Sequence, residues 1–330
     1  MNNLKKIGLS ALAGSLVATS VFAGTMNVTG DAKIEVQHNK GNILPAQANR
    51  GKAFSMTNSI YFNGGSTLDN GLDVSVYFEL DQGAANGTNG TFDSHNVKLG
   101  NDTLGTLTFA GHGGDSAQSA VDDMASGDIW DNGFTIGNTT TAMAGAPTSS
   151  TSNNMLSYSL PSLYDGLAVS LSYVPSSATQ NTSATDYALK YTGYDGLTVG
   201  YANGETTLTT AAHASVDTMY ASYVYGSLTA SIAKTDQKSE STTAADDLEF
   251  SSYGIAYTVT DNISVGYYSS TLATSDVASD LDQEVDGFTA SYTTGGMTIS
   301  GKMINADNTG YLSTATADQE MWELAIAFAF

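Results

Sequence analysis

Cysteine is absent, proline occurs four times, and charged residues make up only 13% of the chain. Without cysteine there can be no disulfide staples, so the fold must hold together by other means. The scarcity of charge separates the chain from ordinary soluble domains, in which about a quarter of residues are charged. Basic residues are the scarcest. Eleven Lys and Arg stand against 33 Asp and Glu, for a net charge of −22, and the single arginine is Arg50. An acidic surface cannot displace counterions from a phosphate backbone, which excludes nucleic acid as a partner. Long apolar runs are missing as well. After residue 24 no stretch of about 20 apolar residues offers a membrane-spanning helix.

The chain is rich instead in Gly, Ser, Thr, Asn, Tyr and Phe, a composition that favours strands and turns over helices. Its first residues differ from the rest. Lys5 and Lys6 precede an apolar run from Ile7 to Val21, and Val21-Phe22-Ala23 leads into Gly24. A charged start, an apolar middle and small residues at the junction mark a secretory leader, expected over 1–23, with a mature chain over 24–330. Loss of Lys5 and Lys6 makes the balance more acidic still. An exported chain with no disulfide and no membrane helix is periplasmic, secreted, or an outer-membrane barrel.

The last nine residues favour the barrel. Trp322, Leu324, Ile326, Phe328 and Phe330 alternate with Glu323, Ala325, Ala327 and Ala329, and the chain stops on the last aromatic. A free carboxylate beside a large apolar side chain is hard to place in a water-soluble core. It is natural if the large side chains face lipid and the terminus lies at the membrane boundary. The same two-residue period recurs in 72–80, 167–173, 187–191 and 253–259. A soluble sandwich shows this period too, so alternation alone does not choose.

The connections choose. Tyr164-Asp165-Gly166, Tyr194-Asp195-Gly196, Tyr225-Gly226-Ser227, Thr260-Asp261-Asn262 and Thr294-Gly295-Gly296 recur about every 30 residues, each before a fresh strand. They read as tight turns in which Gly, Asp or Asn supplies a positive φ, and the preceding tyrosines suit a membrane boundary. Between them lie long polar segments, 176–185, 203–215, 235–246, 271–283 and 305–318. Short turns at one end and long polar loops at the other predict an all-β, up-and-down antiparallel transmembrane barrel. The predicted strands are 27–37, 53–63, 71–81, 94–100, 104–111, 155–160, 166–174 and 185–192. They continue with 197–203, 216–225, 227–234, 248–259, 263–271, 283–293, 297–305 and 320–330. That is about sixteen, enough to leave an aqueous lumen.

Val97-Lys98-Leu99-Gly100-Asn101-Asp102-Thr103-Leu104-Gly105-Thr106-Leu107-Thr108-Phe109-Ala110-Gly111 resembles strands four and five of the general-diffusion porins of Gram-negative bacteria. With the leader, the strand count and the terminal Phe, the resemblance extends over the whole chain. It implies a sixteen-stranded barrel in the outer membrane, three barrels per assembly, and passive diffusion of small hydrophilic solutes. The final strand resembles those that the barrel assembly machinery recognises, which assigns that role to Trp322, Phe328 and Phe330. The resemblance also implies that the next loop, about 112–154, folds into the lumen as a constriction. That loop carries Asp115, Asp122, Asp123, Asp128 and Asp131.

In that family the loop acids face a cluster of arginines on the wall, and here the chain departs. Only lysines are available: Lys33, Lys98, Lys190 and Lys302 fall on the inward parity, with the acids Asp31, Glu35, Asp73 and Glu79. With acids dominating, cations are expected to pass more readily than anions.

Other chemistries lack support. His38, His95, His112 and His213 have no metal-ligand spacing, and Gly111-His112-Gly113-Gly114 lacks the glycine spacing and context of a dinucleotide loop. No nucleophile with a base is visible, so no enzyme is expected. No cofactor is expected either. Asp122-Asp123 with Asp128 has the oxygen chemistry for Ca²⁺ but not the ligand spacing of an EF-hand. Two functions stay open: a water-filled pore, general or substrate-specific, and a plugged surface barrel that binds a partner through its loops.

Overall fold

The computed structural model describes residues 24–41, 51–81, 92–121, 125, 146–149, 153–176, 183–209, 212–240, 247–274, 281–308 and 318–330. The expected leader, Arg50, and the acids Asp122, Asp123, Asp128 and Asp131 lie outside these residues, and with them the Ca²⁺ candidate.

Sixteen strands run in chain order. They are β1 (Thr25–Gly41), β2 (Gly51–Thr67), β3 (Asp73–Asp81), β4 (His95–Asn101), β5 (Gly105–His112), β6 (Met155–Ser159), β7 (Leu167–Val174) and β8 (Ser183–Tyr194). Then come β9 (Leu197–Thr209), β10 (Ala212–Tyr225), β11 (Leu228–Ser239), β12 (Leu248–Thr260), β13 (Ile263–Thr274), β14 (Gln283–Thr294), β15 (Met297–Asp307) and β16 (Gln319–Ala329). Each pairs antiparallel with its sequence neighbour, and β1 with β16 closes the barrel. At the seam Gly30 and Phe330 exchange both backbone hydrogen bonds, at 2.7 and 2.9 Å. The Phe330 ring lies over Gly30, where an added Cβ would stand 2.8 Å from ring carbon Cε2. Only a glycine leaves the terminal ring room to cross the seam.

The short turns fall where the sequence places them. Gly166 and Gly196 take φ of +76° and +72°, which a Cβ would disfavour. The turn after Thr260 differs from expectation, because neither Asp261 nor Asn262 has a positive φ. A register shift between Thr258 and Thr260 absorbs the extra residue instead, and the Thr260 hydroxyl accepts the Asn262 N–H at 3.3 Å.

The long-connection end also corrects the sequence reading. The segments 203–215 and 235–246, expected as loops, are largely ladder: β9 runs to Thr209, β10 starts at Ala212 and β11 runs to Ser239. Apolar alternation is required only where lipid touches the wall. Beyond that height, Thr-rich polar chain keeps its strand propensity and its ladder bonds. The polarity pattern therefore stops before the hydrogen bonding does.

Directly opposed residues on neighbouring strands share a face, so the register carries one face around the whole wall. The outer face holds Phe54, Ile232 and Met303, which are 70%, 62% and 67% exposed. Tyr164, Tyr194 and Tyr225 stand exposed at the short-turn end. Nearer the other end, outward Tyr187 and Tyr201 lie 6.1 Å apart, and Tyr267 contacts Tyr253 and Phe288 at 6.5 and 4.9 Å. Two aromatic rows thus bracket an apolar band. The inner face is mainly Ser, Thr, Ala and Gly. Phe250, Leu272, Val285, Ile304 and Met321 depart from this: they share the inner face near the long-connection ends of β12–β16 and are buried.

A cationic side chain on the lipid face should lose about 2–4 kcal/mol near mid-bilayer. Ile232→Arg is therefore expected to lower the urea stability of the protein folded into vesicles by that amount, while inward Ser300→Arg changes it little.

Candidate functional site

Where it is described, the connection between β5 and β6 turns into the barrel. Its described parts, 113–121, 125 and 146–149, lie against the inner wall. The Ala117 N–H donates to the Ser172 hydroxyl on β7 at 2.8 Å, and the Gln118 amide donates to Thr218 Oγ1 on β10 at 2.9 Å. Further on, the Ala125 N–H donates to the Ser252 hydroxyl on β12 at 2.8 Å. A single 3-10 turn, Gln118–Ala120, is the only helical element among the described residues. It aims Val121 at the inner face of β8 and β9, where Ala117 and Val121 pack with Ala188 and Ala202. A Cβ on Gly200 would come within 2.8 Å of Val121 Cγ1. The loop can lie flat because the wall beneath it on β8 and β9 carries Ala188, Gly200 and Ala202, which project little. It covers β7 to β12 and leaves open space along β2 to β7.

Three cavities follow that open side, of about 590, 490 and 460 Å³. Lys98 lines all three. In the largest it shares the walls with Asp115 from the loop and with Glu79, Asn63 and Asn96. Another places Lys98 with Asp73 and Asp102. The Lys98 ammonium has no ion pair among the described residues and lines each of these cavities.

The other wall residues divide by their partners. Lys33 pairs with Glu35 at 2.9 Å, and Glu35 also accepts the Ser55 hydroxyl at 2.6 Å. Lys302 lies 3.8 Å from Glu323, both nearly buried, and Glu323 also accepts the Gln37 amide at 2.9 Å. Asp31 accepts the Tyr61 hydroxyl, Asp73 accepts the Thr67 hydroxyl at 2.6 Å, and Glu79 accepts the Tyr77 hydroxyl at 3.1 Å. Tyr61 and Tyr77 stack at 6.2 Å between these acids. Lys190 opposes Gly200 across the ladder, beside the docked loop. Trp322 turns outward against the His38 ring at 5.8 Å, and Phe328 and Phe330 are exposed on the outer face.

Four groups central to this arrangement carry no role in the sequence reading. Glu323 was visible only as the polar member of the final alternation; its register opposite Lys302 makes it an ion-pair partner. Gln118, Ser149 and Asp186 were not singled out. Asp186 shares the parity of Lys190 on β8, a signal that marks it as inward. Its partners come from distant segments, which parity does not reveal.

The sequence model of the family described as Gram-negative porin matches residues 8–298. No curated protein sequence matches the chain. Among solved structures, the anion-selective porin from Comamonas acidovorans is 14% identical with a TM-score of 0.69, covering 93% of this chain and 100% of that one. A porin refined at 1.8 Å resolution is 18% identical with a TM-score of 0.65, at 93% and 100% coverage. The trimer form of in-vitro folded OmpT, an outer membrane protein of Vibrio cholerae, is 11% identical with a TM-score of 0.69, again at 93% and 100%. At these identities the likeness is one of fold alone.

Removing one partner of a buried pair leaves an uncompensated charge and costs about 3–5 kcal/mol. Glu323→Ala should therefore lower the temperature at which the detergent-folded barrel loses its compact electrophoretic mobility. The double substitution Lys302→Met with Glu323→Leu should recover most of the loss.

Proposed function

Because the chain belongs to the Gram-negative porins, β-barrel channels for passive diffusion across the outer membrane, we propose that its lumen is a cation-preferring pore for small hydrophilic solutes. The observation that carries this reading is the loop inside the barrel, with Asp115 sharing a cavity of about 590 Å³ with Lys98 on the wall. Low-dielectric walls strengthen such charges. Two unit charges 4 Å apart interact by about 1 kcal/mol in bulk water and by about 4 kcal/mol at an effective dielectric near 20.

The cation preference follows from which charges are neutralised. Lys33 and Lys302 are paired with Glu35 and Glu323. Lys98 and Lys190 remain against Asp31, Asp73, Glu79 and Asp115, and the chain as a whole carries −22. The Comamonas relative is anion-selective, so a shared barrel does not set the sign of the preference; the lining charges do. The remaining loop acids, Asp122, Asp123, Asp128 and Asp131, add to the same side of the balance.

The working unit in this reading is a homotrimer. The resemblance to general-diffusion porins and the trimer form of OmpT support it. The terminal aromatic strand, with Phe330 exposed at the seam, is the segment offered to the assembly machinery. The protein acts as a conduit and not as an enzyme, with no cofactor in its operation.

Planar-bilayer recording tests the reading. Steady step conductances are expected, with reversal potentials in a KCl gradient that favour potassium. A silent bilayer would favour a plugged surface barrel, and faster chloride would overturn the cation preference. Lys98→Ala should raise, and Asp115→Asn lower, the potassium-to-chloride permeability ratio by about two- to fivefold, equivalent to about 0.5–1 kcal/mol per charge.

A further inference from the structure

The two limbs of the long loop meet on one buried carboxylate. Asp186 on β8 is 1% exposed. Its Oδ2 accepts the Ser172 hydroxyl at 2.6 Å, and Ser172 Oγ in turn accepts the Ala117 N–H of the outgoing limb. The other oxygen, Oδ1, accepts the hydroxyl of Ser149 on the returning limb. Gln118 closes the ring: its side-chain oxygen accepts the Ser149 N–H at 3.4 Å, while its amide nitrogen donates to Thr218. The Thr206 hydroxyl holds the Ser149 carbonyl from β9. Gly204 keeps the spot clear, since a Cβ there would collide with both Asp186 and Ser149.

We infer that Asp186 is the positioning residue that clasps the loop to the wall of β7–β10 and thereby fixes the width of the passage on the opposite side. The inference rests on the reading of this loop as the constriction of a channel. An ionised carboxylate only accepts hydrogen bonds, so it can hold two hydroxyl donors at once. Here one hydroxyl belongs to the wall residue that holds the outgoing limb, and the other belongs to the returning limb itself. Asp186 thus joins both limbs to β8, directly at Ser149 and through Ser172 at Ala117. Alanine would leave Ser149 and Ser172 without their shared acceptor in a site sealed from water. Asparagine offers one acceptor and one donor, and both hydroxyls can rotate to meet them. Asp186→Asn therefore keeps the clasp while removing the charge.

Because the chain has no cysteine, the clasp can be replaced by a clean covalent tether. An ideal Cβ on Gly200 lies 3.5 Å from Val121 Cβ, at the short end of disulfide geometry. Single-channel steps are to be compared for the native protein, Asp186→Ala, Asp186→Asn, and Asp186→Ala combined with Val121→Cys and Gly200→Cys. The expected result is a larger mean conductance with several step sizes for Asp186→Ala and one native-sized step for Asp186→Asn. Oxidation of the tethered variant should restore a single step that dithiothreitol abolishes. Three results would overturn the clasp: native steps from Asp186→Ala, equal changes from alanine and asparagine, or no recovery on oxidation. If the native protein itself gives a silent bilayer, the channel reading fails, and thiol titration still decides the clasp. The tether should then oxidise more slowly with Asp186→Ala than without it, and equal rates would refute the clasp.

Discussion

Inside a lipid bilayer no water is present to satisfy a backbone N–H or C=O, and everything in this molecule follows from that. A sheet with a free edge would leave a row of unpaired groups in hydrocarbon, each costing several kcal/mol. The sixteen strands therefore close on themselves, and the last residue of the chain completes the ladder against Gly30. The terminal aromatic serves this geometry as well as facing lipid. Its ring fits because the residue beneath it has no side chain.

Closure turns one sheet into two environments. The outer face meets lipid and carries Phe, Ile, Leu, Met and Tyr. The inner face must leave a lumen, and its small residues do more than leave space for water. Along β8 and β9, Ala188, Gly200, Ala202 and Gly204 form a shallow bed in which a length of loop can lie with its backbone bonded to wall hydroxyls. The small residues of this bed are what allow a loop to lie there. On the open side Lys98 shares its cavities with Glu79, Asp115, Asp73 and Asp102.

Within the wall, charges are either neutralised or directed at the lumen. The Lys302–Glu323 and Lys33–Glu35 pairs lie close to the β16–β1 seam, together with Gln37 and Ser55. They tie the closing strands together on the inner face while the Phe330 contact does so on the outer face. Lys98, Asp73 and Asp115 line the open cavities instead. The paired lysines find their acids in two ways: Glu323 lies directly opposite Lys302 across the ladder, and Glu35 lies two residues from Lys33 on the same face of β1.

The two-residue period, the turn signals and the polar connections were legible in the sequence because they are local. A strand in a barrel repeats its requirement every second residue, whatever its neighbours are. That was enough to place about sixteen strands and to mark the segment between His112 and Met155 as exceptional. It did not reveal that β9 to β11 continue past the lipid, since hydrogen bonding outlasts the polarity pattern there. Nor could it separate Lys302, paired and buried, from Lys98, unpaired among the described residues. Those outcomes depend on register between strands and on where a long loop comes to rest. Asp186 gathers the hydroxyls of Ser149 and Ser172, the second of which holds Ala117, and no spacing along the chain encodes such a meeting; only the closed wall, with its bed of small residues, brings them within hydrogen-bond reach.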